Sequence, residues 1–232
     1  METPKIASKD EWLAARKALL EKEKEFTRSR DALSEERRGL PMVKVTKPYV
    51  FHDEKGRATL ADLFGDRRQL IVYHFMFDPA WEEGCKSCSL LADTFDGASV
   101  HLPARDISFV AISRAPFAKL AAFKKRMGWK FRWLSSAETD FNYDFHVSST
   151  PEQRAAGTFE YNYGKSNFTG NELPGASVFL RAGDDVFHTF STYGRGLDIL
   201  IGTYNWVDLA PLGRNEKDLK YGMEWVRHHD KY

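Results

Sequence analysis

The sequence predicts an α/β protein with a mixed central sheet flanked by helices and preceded by one long helix. Three features of the 232-residue chain predict it. Residues 9–38 lack Gly and Pro, residues 69–113 hold two apolar strand patterns around a helical segment, and residues 176–193 alternate as a β-hairpin does. A chain of this length can bury a core without a disulfide or metal to staple it.

The charge balance excludes several classes of partner. The chain has 34 basic and 33 acidic residues and a net charge of +1, so we expect neither nucleic acid nor an anionic membrane as a partner. The apolar run at 70–77 is interrupted by His74 and is far shorter than the roughly 18 residues of a membrane span. Residues 1–12 lack the apolar core of a signal peptide, so we expect a cytoplasmic location.

Residues 9–38 are rich in good helix formers and are predicted to form one helix, which Gly39 and Pro41 end. Apolar residues recur at every seventh position: Trp12, Leu19, Phe26, Leu33 and Leu40. Charged residues take the place of a second apolar residue in each repeat, so this apolar stripe is thin. Such a helix needs a surface to pack on. It either lies across its own domain or forms a homodimer contact.

Beyond the arm at 1–41, residues 42–232 are predicted to form one domain. Short strands are expected at 43–45 and 49–51. Strands and helices then alternate in this order: strand 69–77, helix 85–102, strand 107–113, helix 115–128 and strand 131–136. Parallel strands require crossover helices, so this order builds a parallel core. The strands at 69–77 and 107–113 are apolar at nearly every position, as strands covered on both faces are.

The second half of the chain adds an insertion, a hairpin and a tail. Residues 137–173 are polar and aromatic and too long for an ordinary connection, so we expect an irregular insertion over a functional face. Its aromatic residues either line a pocket or anchor the loop on the core: Phe141, Tyr143, Phe145, Phe159, Tyr161 and Tyr163. A hairpin around Gly183-Asp184, a last helix at 195–210 and a tail from about 211 to 232 complete the chain.

This order of elements is thioredoxin-like, and the two cysteines stand where that order places its chemistry. Cys85 and Cys88 form a CxxC motif at the start of the first helix after a central strand. A helix N-terminus presents unpaired N–H groups and stabilises a thiolate, so the pKa of Cys85 is expected to fall below about 8.5. We assign Cys85 as the attacking thiolate and Cys88 as the resolving thiol.

Three neighbours are candidate supporting residues. Lys86 adds positive charge, which Glu82 and Glu83 oppose. Trp81 either walls the site or anchors a buried loop. Pro174 lies just before the hairpin, where thioredoxin-like folds place a cis proline facing the CxxC motif, and cis and trans both remain open here.

No other constellation in the sequence indicates chemistry. The histidines have no metal-ligand spacing to the cysteines, so no metal site is expected; His74 is interpreted as a core residue and His228-His229 as solvated surface. The sequence has no glycine-rich phosphate loop and no dinucleotide fingerprint, and we expect no cofactor.

Long strings of the sequence resemble an uncharacterised bacterial thioredoxin-like family, domain of unknown function 899, described as predicted dithiol-disulfide oxidoreductases. These strings are YHFMFDPAWEEGCKSCSLLAD, DISFVAISRAPFAKLAAFKKRMGW, ELPGASVFLRAGDDVFHTFSTYGRGLD, GTYNWVDLAPLGR, EWVRHHDKY and the helix WLAARKALLEKEKEFTRSRDALSEERRGLP. The resemblance spans nearly the whole chain. It implies a thioredoxin-like fold with Cys85 and Cys88 as the redox pair.

The segment YVFHDEKGRATLADLF also resembles peroxiredoxin-type relatives. The peroxidatic pattern has Pro seven and Thr or Ser three residues before the cysteine. Those positions hold Asp78 and Glu82 relative to Cys85, and Trp81 and Cys85 relative to Cys88. We therefore expect a thiol–disulfide oxidoreductase acting on a protein or small-molecule thiol or disulfide. A binding scaffold and a thiol peroxidase are the alternatives.

Overall fold

A computed structural model of the chain describes residues 4–232, so the first three residues of the predicted arm lie outside the described part. The arm helix α1 spans Lys9–Arg38, as predicted. It begins with a capping box, in which the Ser8 hydroxyl accepts from the backbone N–H of Glu11 and the Glu11 carboxylate accepts from the backbone N–H of Ser8. It ends at Gly39.

The remaining elements build one layered domain. The strands are β1 (Val43–Lys44), β2 (Val50–Asp53), β3 (Gly56–Thr59), β4 (Gln69–His74), β5 (Ile107–Ser113), β6 (Arg132–Ser135), β7 (Glu160–Tyr161), β8 (Gly164–Lys165), β9 (Gly175–Ala182) and β10 (Asp185–Tyr193). The further helices are α2 (Lys86–Ala98), α3 (Phe117–Met127), α4 (Phe141–Asp144), α5 (Pro151–Ala156) and α6 (Gly202–Val207). Eight strands form a sheet of order β1-β10-β9-β4-β5-β6-β2-β3, and β7 pairs with β8.

Strand β4 lies at the centre of this mixed sheet. It pairs in parallel with β5 and antiparallel with β9, and β5 pairs in parallel with β6. Its side chains alternate between two cores, with Tyr73 in one and Leu70 and Val72 in the other. The sheet is therefore covered on both faces, as the apolar strands predicted. This order, with a helix after β4 and a closing hairpin, is the thioredoxin-like fold.

Three elements differ from the sequence-based expectations. The strand predicted at 69–77 ends at His74, because the chain leaves the sheet for the loop that leads to α2. The helix expected at 195–210 is wrong as one element. A 3₁₀ helix at Gly194–Leu200 is followed by α6, because Ile201 takes a non-helical backbone conformation (φ −91°, ψ 85°) between them. Strand β3 was not anticipated.

The insertion at 137–173 is more ordered than the expected irregular loop, since it carries α4, α5 and the β7–β8 pair. Its aromatic residues divide between the two roles left open. Phe141 and Phe159 are buried and anchor the segment. Tyr161 and Tyr163 line a cavity beside β10, to which the buried Phe145 also contributes.

The arm does not pack across its own domain, which is one of the two placements that the sequence left open. Helix α1 has no buried residue, and Trp12 and Phe26 are 60% and 68% exposed. Contact with the domain is made at its end, where the Arg37 guanidinium lies 4.8 Å from the centre of the Phe190 ring. Among residues 4–232, no helix has the length and apolar character that crossing a membrane requires.

A buried ionic cluster ties the insertion to the loop after β4. The Arg114 guanidinium lies 2.8 Å from Asp78 and 2.6 Å from Glu172, and it also donates to the Tyr143 hydroxyl. The Glu172 side chain is only 1% exposed. Its burial raises the pKa of Glu172 to about 7, against the opposing effect of Arg114. Removing Arg114 would therefore leave two carboxylates without their cation.

We expect Arg114→Met to lower the free energy of unfolding by about 3–5 kcal/mol, because it breaks a buried ion pair and strands its partners. The matched control is Arg68→Met, which removes an ion pair with Asp106 whose arginine is 77% exposed, and it should cost less than about 1 kcal/mol. Urea unfolding at pH 7 measures both. Equal losses in the two variants would contradict the anchoring role of Arg114.

Candidate active site

Both cysteines lie where β4 passes into α2. Cys85 is the N-cap residue of α2, and Cys88 lies in its first turn. The backbone of Met76 holds both, since its carbonyl accepts from the Cys85 N–H at 3.1 Å and its N–H donates to the Cys88 sulfur at 3.4 Å. Cys85 is partly buried, whereas Cys88 is 1% exposed. Cys85 is therefore the more exposed of the two residues.

The pKa values of the two thiols are shifted in opposite directions. A hydrogen bond from the Cys88 thiol is the largest cause that lowers the pKa of Cys85 to about 7. Burial opposes it, and the N–H groups of Cys88 and Ser87 and the Ser87 hydroxyl assist it. Burial, and then the neighbouring Cys85, raise the pKa of Cys88 well above its usual value of 9. Cys85 therefore ionises first, in the direction that its place at a helix N-terminus predicted.

Tyr73 is a site residue that the sequence analysis missed. It lies on β4 and is 2% exposed, and its hydroxyl has no hydrogen-bond partner in the dithiol state. The hydroxyl nevertheless lies next to Cys88 and stabilises the thiolate form of that residue. This contact lowers the pKa of Cys88, whereas burial raises it. A tyrosine inside the apolar string QLIVYHFMF was the available signal, because a buried hydroxyl needs a partner.

A cavity of about 480 Å³ opens over the two cysteines. Its lining comes from α2, from the 3₁₀ helix after β10, from Phe168 of the insertion, from Pro174 just before β9 and from Met223 of the tail. The Leu173–Pro174 bond is trans, which settles the alternative that the sequence left open. The Pro174 carbonyl accepts from the Tyr161 hydroxyl at 2.6 Å, and that hydroxyl accepts from the Gly194 N–H at 2.8 Å.

Of the other predicted neighbours, neither Trp81 nor Lys86 lines this cavity. Trp81 is partly buried against the core beside α3, which is the anchoring role. Lys86 is exposed and is not among the causes that lower the pKa of Cys85. The opposing charge of Glu83 is taken up by Arg126 at 2.6 Å and Lys231 at 2.9 Å.

The tail folds back onto the loop before Cys85, and the expectation of a solvated His228 is wrong. His228 is 1% exposed, and its Nε2–H donates to the Gly84 carbonyl at 2.9 Å. A side chain at position 84 would come within 2.8 Å of Phe75 and 2.9 Å of Phe123, so this loop requires glycine. The apolar pair Trp225 and Val226 beside the histidines was the available signal that the tail docks.

His74 occupies the core, as interpreted. Its Nε2 lies 2.8 Å from the Ser177 hydroxyl, and burial lowers the pKa of His74 to about 3, so the ring is neutral. Across residues 4–232, no three His, Cys, Asp or Glu side chains are grouped so that they could hold a metal ion.

A family model described as "Bacterial protein of unknown function (DUF899)" matches residues 1–232. Peroxidoxin BcpB from Mycobacterium tuberculosis is similar in structure at 14% identity, covering 72% of this chain and 97% of that one with a TM-score of 0.48. AhpC from Enterococcus faecalis is similar at 11% identity, covering 73% and 95% with a TM-score of 0.47. Thioredoxin peroxidase I from Plasmodium yoelii is similar at 13% identity, covering 73% and 88% with a TM-score of 0.44. No curated protein sequence matches the chain.

We expect Cys88→Ala to raise the pKa of Cys85 from about 7 towards 9, because it removes the strongest donor to the thiolate and leaves the N–H groups. The rate of iodoacetamide alkylation against pH measures this pKa. Cys85→Ala serves as the control and should lack the reactive phase below pH 9, since burial keeps Cys88 protonated. An unchanged midpoint in Cys88→Ala would refute the role of its thiol.

Proposed function

We propose that this chain, which belongs to the DUF899 family, is a thiol–disulfide oxidoreductase that uses Cys85 as the attacking thiolate and Cys88 as the resolving thiol. One observation carries the proposal. Two adjacent thiols with opposite pKa shifts share one cavity, so a single sulfur is ionised near neutral pH and its neighbour holds a proton. This is the division of labour that two-step exchange requires.

In the first step the Cys85 thiolate attacks one sulfur of a substrate disulfide. A bond forms between the Cys85 sulfur and that sulfur, the substrate S–S bond breaks, and one substrate thiolate leaves with the electron pair. Cys88 remains protonated, because its burial disfavours a charge. Once Cys85 is bonded, it no longer carries the negative charge that helped to raise the pKa of Cys88.

In the second step Cys88 gives up its proton to the departing thiolate or to water and attacks the Cys85 sulfur. The mixed disulfide breaks, the second substrate thiolate leaves, and the protein pair becomes an intramolecular disulfide. The Tyr73 hydroxyl and the Met76 N–H both stabilise the ionised form of Cys88 in this step. The net change is reduction of one substrate disulfide to two thiols, and an external thiol reductant must reduce the protein pair again.

Two features favour disulfide exchange over the thiol peroxidase alternative. Asp78 and Glu82 stand where the peroxidatic pattern has Pro and Thr or Ser before Cys85. Asp78 forms an ion pair with Arg114. Glu82 is 91% exposed and lies 3.7 Å from the Lys119 ammonium group. Neither residue lines the cavity around the cysteines. We also propose a cytoplasmic location, because the chain has only this one cysteine pair and no wider set of cysteines for a disulfide framework.

Cys88→Ser should accumulate a mixed disulfide between Cys85 and a small disulfide probe, because the second step is blocked. Cys85→Ser should accumulate none, and the wild type should pass to the intramolecular disulfide. Mass spectrometry in dithiol–disulfide buffers of graded potential measures all three, with a wild-type midpoint expected between roughly −270 and −120 mV. A wild-type pair that never closes in these buffers refutes the proposal and leaves the binding scaffold as the alternative.

We also propose that α1 mediates a homodimer. Its apolar stripe, in which Leu19 and Phe26 are 52% and 68% exposed, has no cover from the domain. A helix with so thin a stripe is stabilised by packing more than by its own propensity. A second copy of α1 would present the same exposed apolar stripe and so could cover it.

The double variant Leu19→Asp/Phe26→Asp should therefore be monomeric at concentrations where the wild type is a dimer. Arg28→Asp, which changes an exposed residue on the opposite side of the helix, should leave the dimer intact. Sedimentation equilibrium measures the mass of each. A monomeric wild type at high micromolar concentration would rule out this dimer.

A further inference from the structure

The cavity over Cys85 is walled by segments added to the sheet and its flanking helices. Phe168 and Leu173 come from the insertion, and Tyr221, Gly222 and Met223 come from the tail. These added segments line the same cavity as Cys85, the attacking residue in the proposed function. An exposed redox pair would meet a disulfide on the surface of a folded protein, whereas this pair lies within a cavity.

The tail wall is held in place by a polar network. The Glu216 carboxylate accepts from the Tyr204 hydroxyl at 2.8 Å, from the Trp225 indole N–H at 3.1 Å and from the Met223 N–H at 3.1 Å. Burial alone would raise the pKa of Glu216, but these donors lower it, so the carboxylate stays ionised and bound. The wall is therefore a built part of the cavity.

The charged residues of the lining are paired with each other or with neighbouring residues. Arg195 lies 2.7 Å from Asp198, and Arg214 lies 3.1 Å from Asp198. Arg214 also pairs with Asp208 at 2.6 Å, and its guanidinium stacks 3.7 Å above the ring of Tyr204. A charged ligand would have to break these pairs or lose its own hydration without a partner in return.

We infer that the cavity binds a small, uncharged organic disulfide with an apolar body, and this inference rests on the proposed function. The volume of about 480 Å³ lies within the range of roughly 300–1,000 Å³ typical of small-molecule pockets. The inner lining is mostly apolar, with Leu91, Leu197 and Ile201 beside the two sulfurs. An apolar substituent buried there gains the free energy of leaving water, whereas a carboxylate or ammonium does not.

The test compares second-order rate constants of the reduced full-length protein with matched disulfides of equal chain length. Dipropyl disulfide is neutral, dithiodipropionate is a dianion, and insulin carries protein disulfides. Each rate constant is divided by that of mercaptoethanol thiolate with the same probe, which removes differences in intrinsic reactivity. We expect a normalised preference of at least about tenfold for dipropyl disulfide over both others. From diethyl to dipropyl disulfide, the rate constant should rise up to about fourfold for each methylene buried.

Two variants locate the preference in the cavity. Phe168→Ala removes part of the wall and should abolish the dependence on chain length, and Leu173→Trp fills the cavity and should slow dipropyl disulfide at least fivefold. The control Trp206→Ala removes an aromatic side chain that is 76% exposed and lies outside the cavity, and it should change nothing. The redox midpoint measured in dithiol buffers should remain unchanged in Trp206→Ala, and the same measurement on the other two variants shows whether their pair still closes.

The outcomes separate this inference from the function on which it rests. If the pair closes to a disulfide but the normalised rate constants for dipropyl disulfide, dithiodipropionate and insulin are equal, the substrate class is wrong and the oxidoreductase remains. If the wild-type pair does not cycle with any probe, both fail. A preference for dipropyl disulfide that Phe168→Ala and Leu173→Trp leave intact also overturns the inference, because the selecting surface then lies elsewhere.

Discussion

The backbone of Met76 is the constraint on which the site depends. Its carbonyl accepts from the Cys85 backbone N–H and its N–H donates to the Cys88 sulfur, so both cysteines are tied to the residue two positions beyond the central strand. The loop from Met76 to Cys85 requires Gly84, because the rings of Phe75 and Phe123 leave no room for a side chain at that position. The attachment holds the two thiols side by side, so the Cys88 thiol lowers the pKa of Cys85 by donating to it, whereas burial raises the pKa of Cys88.

Two polar anchors extend that constraint to the parts of the chain outside the central sheet. Arg114 joins the insertion to the loop after β4, and Glu216 joins the tail to α6. The Arg114 cluster is buried and joins segments far apart in sequence, whereas the Glu216 network is half-buried and joins α6 to the tail segment that follows it. The walls of the cavity are therefore positioned by electrostatic contacts, while its lining remains apolar. Specific placement and an apolar interior are achieved together in this way.

Much of this architecture could be predicted because it is encoded locally. The spacing of Cys85 and Cys88 before a helical pattern, and the turn at Gly183-Asp184, each depend on neighbouring residues. The break at Ile201 was not predictable in this way, since a helical pattern continues through it in the sequence. The docking of His228 onto Gly84 joins residues 144 positions apart, and no periodic pattern reports such a contact.

Tyr73 shows why the site itself was only partly predictable. Its place in a buried strand follows from the apolar pattern, but the lack of a hydroxyl partner in the dithiol state is visible only in three dimensions. A buried hydroxyl without a partner costs free energy in that state. The ionised Cys88 sulfur is an acceptor beside it, so the same hydroxyl favours the charge that burial opposes. The strand therefore places beside Cys88 a buried donor whose interaction with that sulfur strengthens when Cys88 loses its proton.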